Sequence, residues 1–125
     1  MLIQALYIGI GGCIGSICRY GCSRILYRIV GDGFPYGTLA VNLIGCFLIG
    51  LVMKLSEEGF LLQPHIRLFL TIGILGGFTT FSTFSYETLE LLRTGSMLKA
   101  GLNMTVSIFG CLFATWLGNT AAKIL

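Results

Sequence analysis

Charged residues along this chain fall in small clusters, and between the clusters lie four apolar windows, residues 1–18, 33–53, 68–86 and 100–122, with no Asp, Glu, Lys or Arg. About 20 helical residues cross a hydrocarbon core, so the pattern predicts four transmembrane helices with approximate spans 2–22, 36–54, 67–92 and 98–122. The connections are short, "GDGFPYG", "SEEGFLLQPH" and "RTGSM", and their Gly and Pro residues punctuate helix ends. The expected fold class is an all-α membrane protein, a single four-span domain over residues 1–125 with no linker, tail or low-complexity segment.

Composition agrees with the pattern. The chain is 55% hydrophobic and 10% charged, whereas a soluble domain is about 25% charged, so a lipid bilayer is the expected surrounding and the cell membrane the expected location. The opening "MLIQALYIGIGGCIGSICRY" has no basic residue before Arg19. It lacks the charged n-region of a signal peptide and three more spans follow, so it is read as a retained helix. The net charge of +3 is scattered over loops and helix ends; it forms no nucleic-acid footprint, and no soluble domain is left to bind one. The five cysteines form no CxxC pair, which predicts small apolar packing residues rather than a zinc site or a disulfide framework. The single histidine, His65, follows Pro64 in the second loop and reads as a solvated side chain. With no base beside a nucleophile, the chain is not expected to be an enzyme.

Orientation is normally set by an excess of Lys and Arg in cytoplasmic loops. Here Lys54, Arg67 and Lys123 lie on one side, and Arg24, Arg28, Arg93 and Lys99 on the other. Two readings fit so small a bias. One is a single orientation with a noisy charge count. The other is dual topology, in which copies insert both ways and pair as an antiparallel homodimer, an arrangement related to the inverted repeats of transporters.

Polar residues inside the windows carry the candidate chemistry. In the first window Gly11, Gly15, Ser16 and Cys18 allow close helix packing. Arg19, a turn or two inside the span, must pair, line water or snorkel to a headgroup. Thr38, able to cap the second helix, forms a stripe with Asn42 and Gly45 or Cys46. On the fourth helix Asn103, Ser107, Cys111 and Thr115 recur every four residues and share a face. Both stripes fit helix-packing glue, and both fit the walls of a narrow polar path whose amide and hydroxyl groups donate to a passing anion.

The densest polar cluster is "GGFTTFSTFSYE", Gly76 to Glu87. Two glycines followed by β-branched Thr79-Thr80 form helix poorly, which predicts a third helix broken near its middle. Irregular backbone in lipid is tolerated only where protein or a water-filled cavity satisfies it. A break here releases carbonyls around Gly76 and Thr79, the kind of oxygen that coordinates Na⁺ in discontinuous transporter helices. In an antiparallel dimer these carbonyls could face each other across the two-fold axis. Beyond the break, Phe81 and Phe84 are three apart, as are Ser82 and Ser85, with Thr80 and Thr83 nearby, so rings and hydroxyls become neighbours. Ring edges are positive; with neutral donors they can replace water around a small anion without a full charge that would trap it. The rings equally fit ordinary packing. The residues alone therefore predict a narrow polar path for a small ion.

These motifs resemble the Fluc/CrcB fluoride channels. The pattern GGxxGxxxRY is met by Gly11 to Tyr20, GTLxVNxxG by Gly37 to Gly45, and GGxTTFSTFSxE by Gly76 to Glu87, over essentially the whole chain. The resemblance implies a dual-topology homodimer with two antiparallel pores, passive export of fluoride, and a structural Na⁺ at the dimer centre. It implies that Phe81 and Phe84 line the pore, that Asn42 is a fluoride ligand near its mouth, and that Gly76 and Thr79 give Na⁺ their carbonyls. Thr38, Ser107 and the hydroxyls of Thr80, Ser82 and Thr83 would form a polar track, with Arg19 near the entrance and Glu87 near a vestibule. The chain departs from the family's pattern on the fourth helix, where Asn103 and Cys111 replace hydroxyl-bearing residues. Two other classes compete with the channel reading. A small proton-coupled four-helix exporter of organic cations needs an acid deep in the membrane, whereas Glu87 and Glu90 come only at the tail of the third span. A non-transporting membrane subunit would use the polar stripes only as glue.

Overall fold

The computed structural model describes residues 1–60 and 63–125; Leu61 and Leu62, within the second predicted loop, lie outside the described residues. The chain forms a first helix Leu2–Val30, a second Tyr36–Glu57, a third span Pro64–Arg93 and a fourth helix Met97–Ala122. Each is long and apolar enough to cross a membrane, and the described residues contain no strand. The protein is an all-α, multi-pass membrane protein.

Large apolar side chains such as Ile10, Ile17, Phe109 and Trp116 are exposed, as expected where the surrounding solvent is hydrocarbon, while small residues sit where helices meet. A Cβ on Gly11 would stand 2.7 Å from the Phe69 carbonyl oxygen, and one on Gly77 would stand 2.6 Å from that of Gly12. The first helix and third span therefore touch backbone to backbone. On the other side of the fold Gly50 lies against the Thr115 carbonyl and Gly118 against that of Phe47, locking the second helix to the fourth.

Two helices end where the sequence punctuates them. Gly59 (φ 86°) and Gly95 (φ 78°) adopt the left-handed conformation. The following amides reach back five residues, Phe60 to the Leu55 carbonyl and Ser96 to the Leu91 carbonyl, completing Schellman caps. The first helix runs past its expected end at residue 22 and stops only at Gly31. Arg24 and Arg28, expected in a loop, are thus helical: a charge ends the membrane-buried part of a helix but does not break its hydrogen bonding. Arg24 sits over the Tyr20 ring at 5.7 Å. His65 is likewise no loop residue. It lies in the first turn of the third span, stacked on Tyr7 at 5.4 Å between centroids, and its Nδ1 is buried without a partner.

The third span is irregular over most of its first half. After Pro64–Leu68 it widens into a π-helix, Phe69–Leu75, which carries Gly73 against the first helix, and then makes one further turn, Gly76–Phe78. The break falls on the threonines: Thr79 (ψ 158°) and Thr80 (φ −154°, ψ 116°) are extended, and the helix resumes at Phe81–Arg93. Gly76 stays helical. What Gly77 supplies is proximity to the first helix, not the break itself.

Candidate functional site

An interrupted helix leaves backbone groups without partners, and here a side chain from another helix takes them. The Asn42 amide brackets Thr80: its Oδ1 accepts from the Thr80 N–H at 2.8 Å and its Nδ2 donates to the Thr80 carbonyl at 3.0 Å. Thr80 then caps the second half of the span. Its hydroxyl accepts from the Thr83 N–H at 3.2 Å and donates to the Thr83 hydroxyl at 3.0 Å, with the Ser82 hydroxyl 3.3 Å away.

Both diversions free a carbonyl. In a continuous helix the Thr80 N–H would bond to the Gly76 oxygen and the Thr83 N–H to that of Thr79; instead they go to Asn42 and to Thr80's own side chain. The Thr79 oxygen accepts from Arg19 Nη1 at 3.3 Å. Arg19 therefore reaches into the break instead of snorkelling to the membrane surface. Thr79's hydroxyl turns back to the Leu75 carbonyl at 2.9 Å.

Past the break the Phe81 and Phe84 rings stand 5.4 Å apart, tilted by 49°. They differ in setting, since Phe84 is 9% exposed and Phe81 77%. Behind Phe84 runs a buried chain of hydrogen bonds. Ser107 Oγ donates to Asn103 Oδ1 (3.4 Å), Asn103 Nδ2 to the Thr88 hydroxyl (2.9 Å), and Thr88 Oγ1 to the Phe84 carbonyl (2.7 Å). Rings, break and both polar stripes border one cavity of about 440 Å³, lined among others by Asn42, Gly76, Thr80, Phe81, Phe84 and Ser107.

Thr38, Ser82, Thr83, Arg19 and Glu87 do not line this cavity. Thr38 is buried and caps nothing; its hydroxyl, expected at the helix start, donates to Glu87 Oε1 at 2.8 Å. Tyr27 donates to the same oxygen at 3.3 Å, and Glu87 Oε2 is buried without a partner. Glu87 and Tyr27 border a second cavity of about 360 Å³ beside the first loop. Ser82 and Thr83 are exposed, on the first turn after the break. Three features escaped the sequence reading. Thr88 had a visible signal, a hydroxyl one turn after Phe84. Tyr27 had none, since it lies beyond the expected first span. The register between the stripes was also hidden: Gly50 meets the Thr115 carbonyl, and one and two turns back at the same sequence offset come Cys46 with Cys111 and Asn42 with Ser107.

The described residues contain no cluster of three or more His, Cys, Asp or Glu side chains able to hold a metal. At the break the Gly76 and Thr79 carbonyls, diverted from helical bonding, are oxygen donors of the kind a hard cation takes.

Comparison with known proteins agrees with this architecture along its whole length. Residues 6–119 match the model of the family described as CrcB-like protein, Camphor Resistance (CrcB). A protein of Geotalea daltonii named fluoride-specific ion channel FluC is 54% identical over 120 residues, covering 96% of this chain and 97% of its own. Proteins of the same name from Geobacter sp. (52% over 122 residues, 98% of each chain) and Shewanella halifaxensis (43% over 116 residues, 93% of each) extend the likeness. With the second span and the interrupted third wholly inside the matched region and most of the first and fourth with them, this chain belongs to the CrcB family.

Proposed function

We propose that the chain is the protomer of a fluoride-selective channel, which lets F⁻ leave the cell down its gradient and so protects against fluoride toxicity. The observation that carries this reading is the interrupted third span, where two ring edges and a set of uncharged donors share one cavity wall. The names of the full-length relatives support fluoride as the anion.

Fluoride holds its water tightly, so a path must offer donors in place of that water and yet release the ion. Asn42 spends one amide hydrogen on the Thr80 carbonyl and, having two, keeps one for an anion. Thr80 and Ser107 place hydroxyls on the cavity wall, Ser82 and Thr83 stand exposed on the turn after the break, Thr38 lies one turn from Asn42 against Glu87, and Phe81 and Phe84 offer ring edges. Glu87 stands at one approach and, by accepting from Thr38 and Tyr27, fixes which way those hydroxyls point; Arg19, expected near the entrance, adds its charge from the Thr79 side of the break. The exporter reading is less favoured because Glu87 is level with the first turn of the second helix, through Thr38, and not with the break.

The partner in this reading is a second copy in antiparallel orientation. Phe81, on the cavity wall, and Ser82 and Thr83 after it lie exposed, which suits cover by another subunit better than contact with lipid. The Gly76 and Thr79 carbonyls, released from helical bonding, are hard oxygen donors of the kind Na⁺ takes, and a carbonyl's two lone pairs let Thr79 serve Arg19 as well. A Na⁺ held there would supply a fixed positive charge between subunits.

Purified protein in liposomes, read with a fluoride electrode, tests the function: an ionophore-set potential should start F⁻ efflux, and its absence would sink the channel reading. Cysteine labelling in cells should find both orientations; one clean orientation removes the antiparallel dimer. Exchanging Na⁺ for N-methylglucammonium is expected to lower the unfolding temperature, because a ligand bound only to the folded state stabilises by RT ln(1 + [L]/Kd). An unchanged midpoint removes sodium from the reading.

A further inference from the structure

The second and fourth helices run parallel and meet backbone to backbone, with Gly50 against the Thr115 carbonyl. One turn back on both helices, four residues from each contact, are Cys46 and Cys111. Both thiols are free and half-buried, and both border the 440 Å³ cavity. The next rung of the ladder is Asn42 and Ser107, which border the same cavity. The glycine contact one turn away holds the two helices together at this level and keeps both thiols on the wall of one cavity.

Two sulfurs without a third His, Cys, Asp or Glu among the described residues do not make a tetrahedral zinc site. They do satisfy a soft cation that takes two ligands in line, because thiolates select soft metals. Charge narrows the choice further. A divalent ion bound by two thiolates is a neutral unit, so burying it in a low-dielectric wall carries no net-charge penalty. From this we propose that Cys46 and Cys111 form a binding site for a soft, two-coordinate divalent cation of the Hg²⁺ type, and that its occupancy closes the polar path. Closure rests on the fluoride-channel reading; binding does not. In the binding step each thiol loses its proton to water, two sulfur–metal bonds form as the ion gives up its two chloride ligands to solution, and no electron changes hands.

The test uses full-length protein in which Cys13, Cys18 and Cys22, exposed on the first helix, are replaced by serine. One equivalent of HgCl₂ should add one mercury per chain by native mass spectrometry and remove both remaining thiols from reaction with a disulfide reagent. Because a second tethered ligand raises retention by about 10²–10⁴, the pair should hold mercury against a competing monothiol that strips it from Cys46→Ala or Cys111→Ala. Equal retention by either single variant overturns the site. In liposomes, HgCl₂ should stop efflux relative to each sample's own untreated rate. Dithiothreitol should restore it, and both single variants should escape lasting block. Stoichiometric binding with undiminished efflux overturns the closure. Efflux missing before any metal is added counts against the fluoride reading alone, since the mass measurement does not depend on transport.

Discussion

Replacing Phe81 by isoleucine is expected to slow fluoride efflux from liposomes by about 10- to 10²-fold. The estimate follows from the value of a hydrogen bond to a charged group, about 1.5–3 kcal/mol, with each 1.36 kcal/mol of barrier a factor of ten. Isoleucine keeps an apolar branched side chain at the site but has no positive edge to turn toward an anion. The position separates conduction from folding. Phe81 is 77% exposed in the protomer, so shortening it opens little void within the chain, and the unfolding temperature should move far less than the flux. Phe84 is the harder test, being 9% exposed and backed by the Thr88, Asn103 and Ser107 chain; trimming it would also cost packing, as large-to-small changes in a core do. A Phe81→Ile channel that conducts normally, measured with the electrode under a set potential, would leave the rings as packing and nothing more.

The parts of the structure that were legible in the sequence are those decided by local chemistry. Four helices follow from the absence of charge over window after window, because a membrane tolerates few ions and no unpaired backbone. The glycines of the first window were readable as contacts, and the irregular third span was readable from Gly76 through Thr80. What local chemistry could not supply was the partner across the fold. Gly11 meets the Phe69 carbonyl and Gly77 that of Gly12, pairs fixed by the packing of whole helices. The first helix outran its expected span because hydrogen bonding continues through Arg24 and Arg28 until Gly31. Thr38 fits a cap by position, yet its hydroxyl finds a carboxylate 49 residues away. The place of the break was blurred for a similar reason. Gly-Gly is the weaker helix former, but the threonines are where Asn42 is able to satisfy an extended backbone.

That dependence makes Asn42→Leu a change expected to damage stability and flux together. Leucine suits a helix and a lipid-facing wall, so local propensity is preserved while both bonds to Thr80 are lost. The Thr80 N–H and carbonyl, part-buried at the break, would then lack partners, and each unsatisfied group costs about 1–3 kcal/mol. Relief by rewinding is opposed by the fold, because a continuous helix would move Phe81 and the Thr80 cap relative to Gly45, which packs against the Thr79 methyl. The unfolding temperature should fall and efflux should drop by at least about 10²-fold, as expected when an anion's donor and the geometry of its path are lost together. Destabilisation alone could mimic the loss of flux, so the sodium dependence of the midpoint is the deciding measurement. If Asn42 fixes the backbone geometry of the break, Leu at this position leaves Thr80 unheld, the Gly76 and Thr79 carbonyls lose their set positions, and the difference between Na⁺ and N-methylglucammonium should vanish. A variant that is less stable but keeps its full sodium shift would show that the carbonyls are released without Asn42. Asn42→Ser, short but able to accept from the Thr80 N–H, should recover part of both the midpoint and the flux, because one of the two backbone groups is again satisfied.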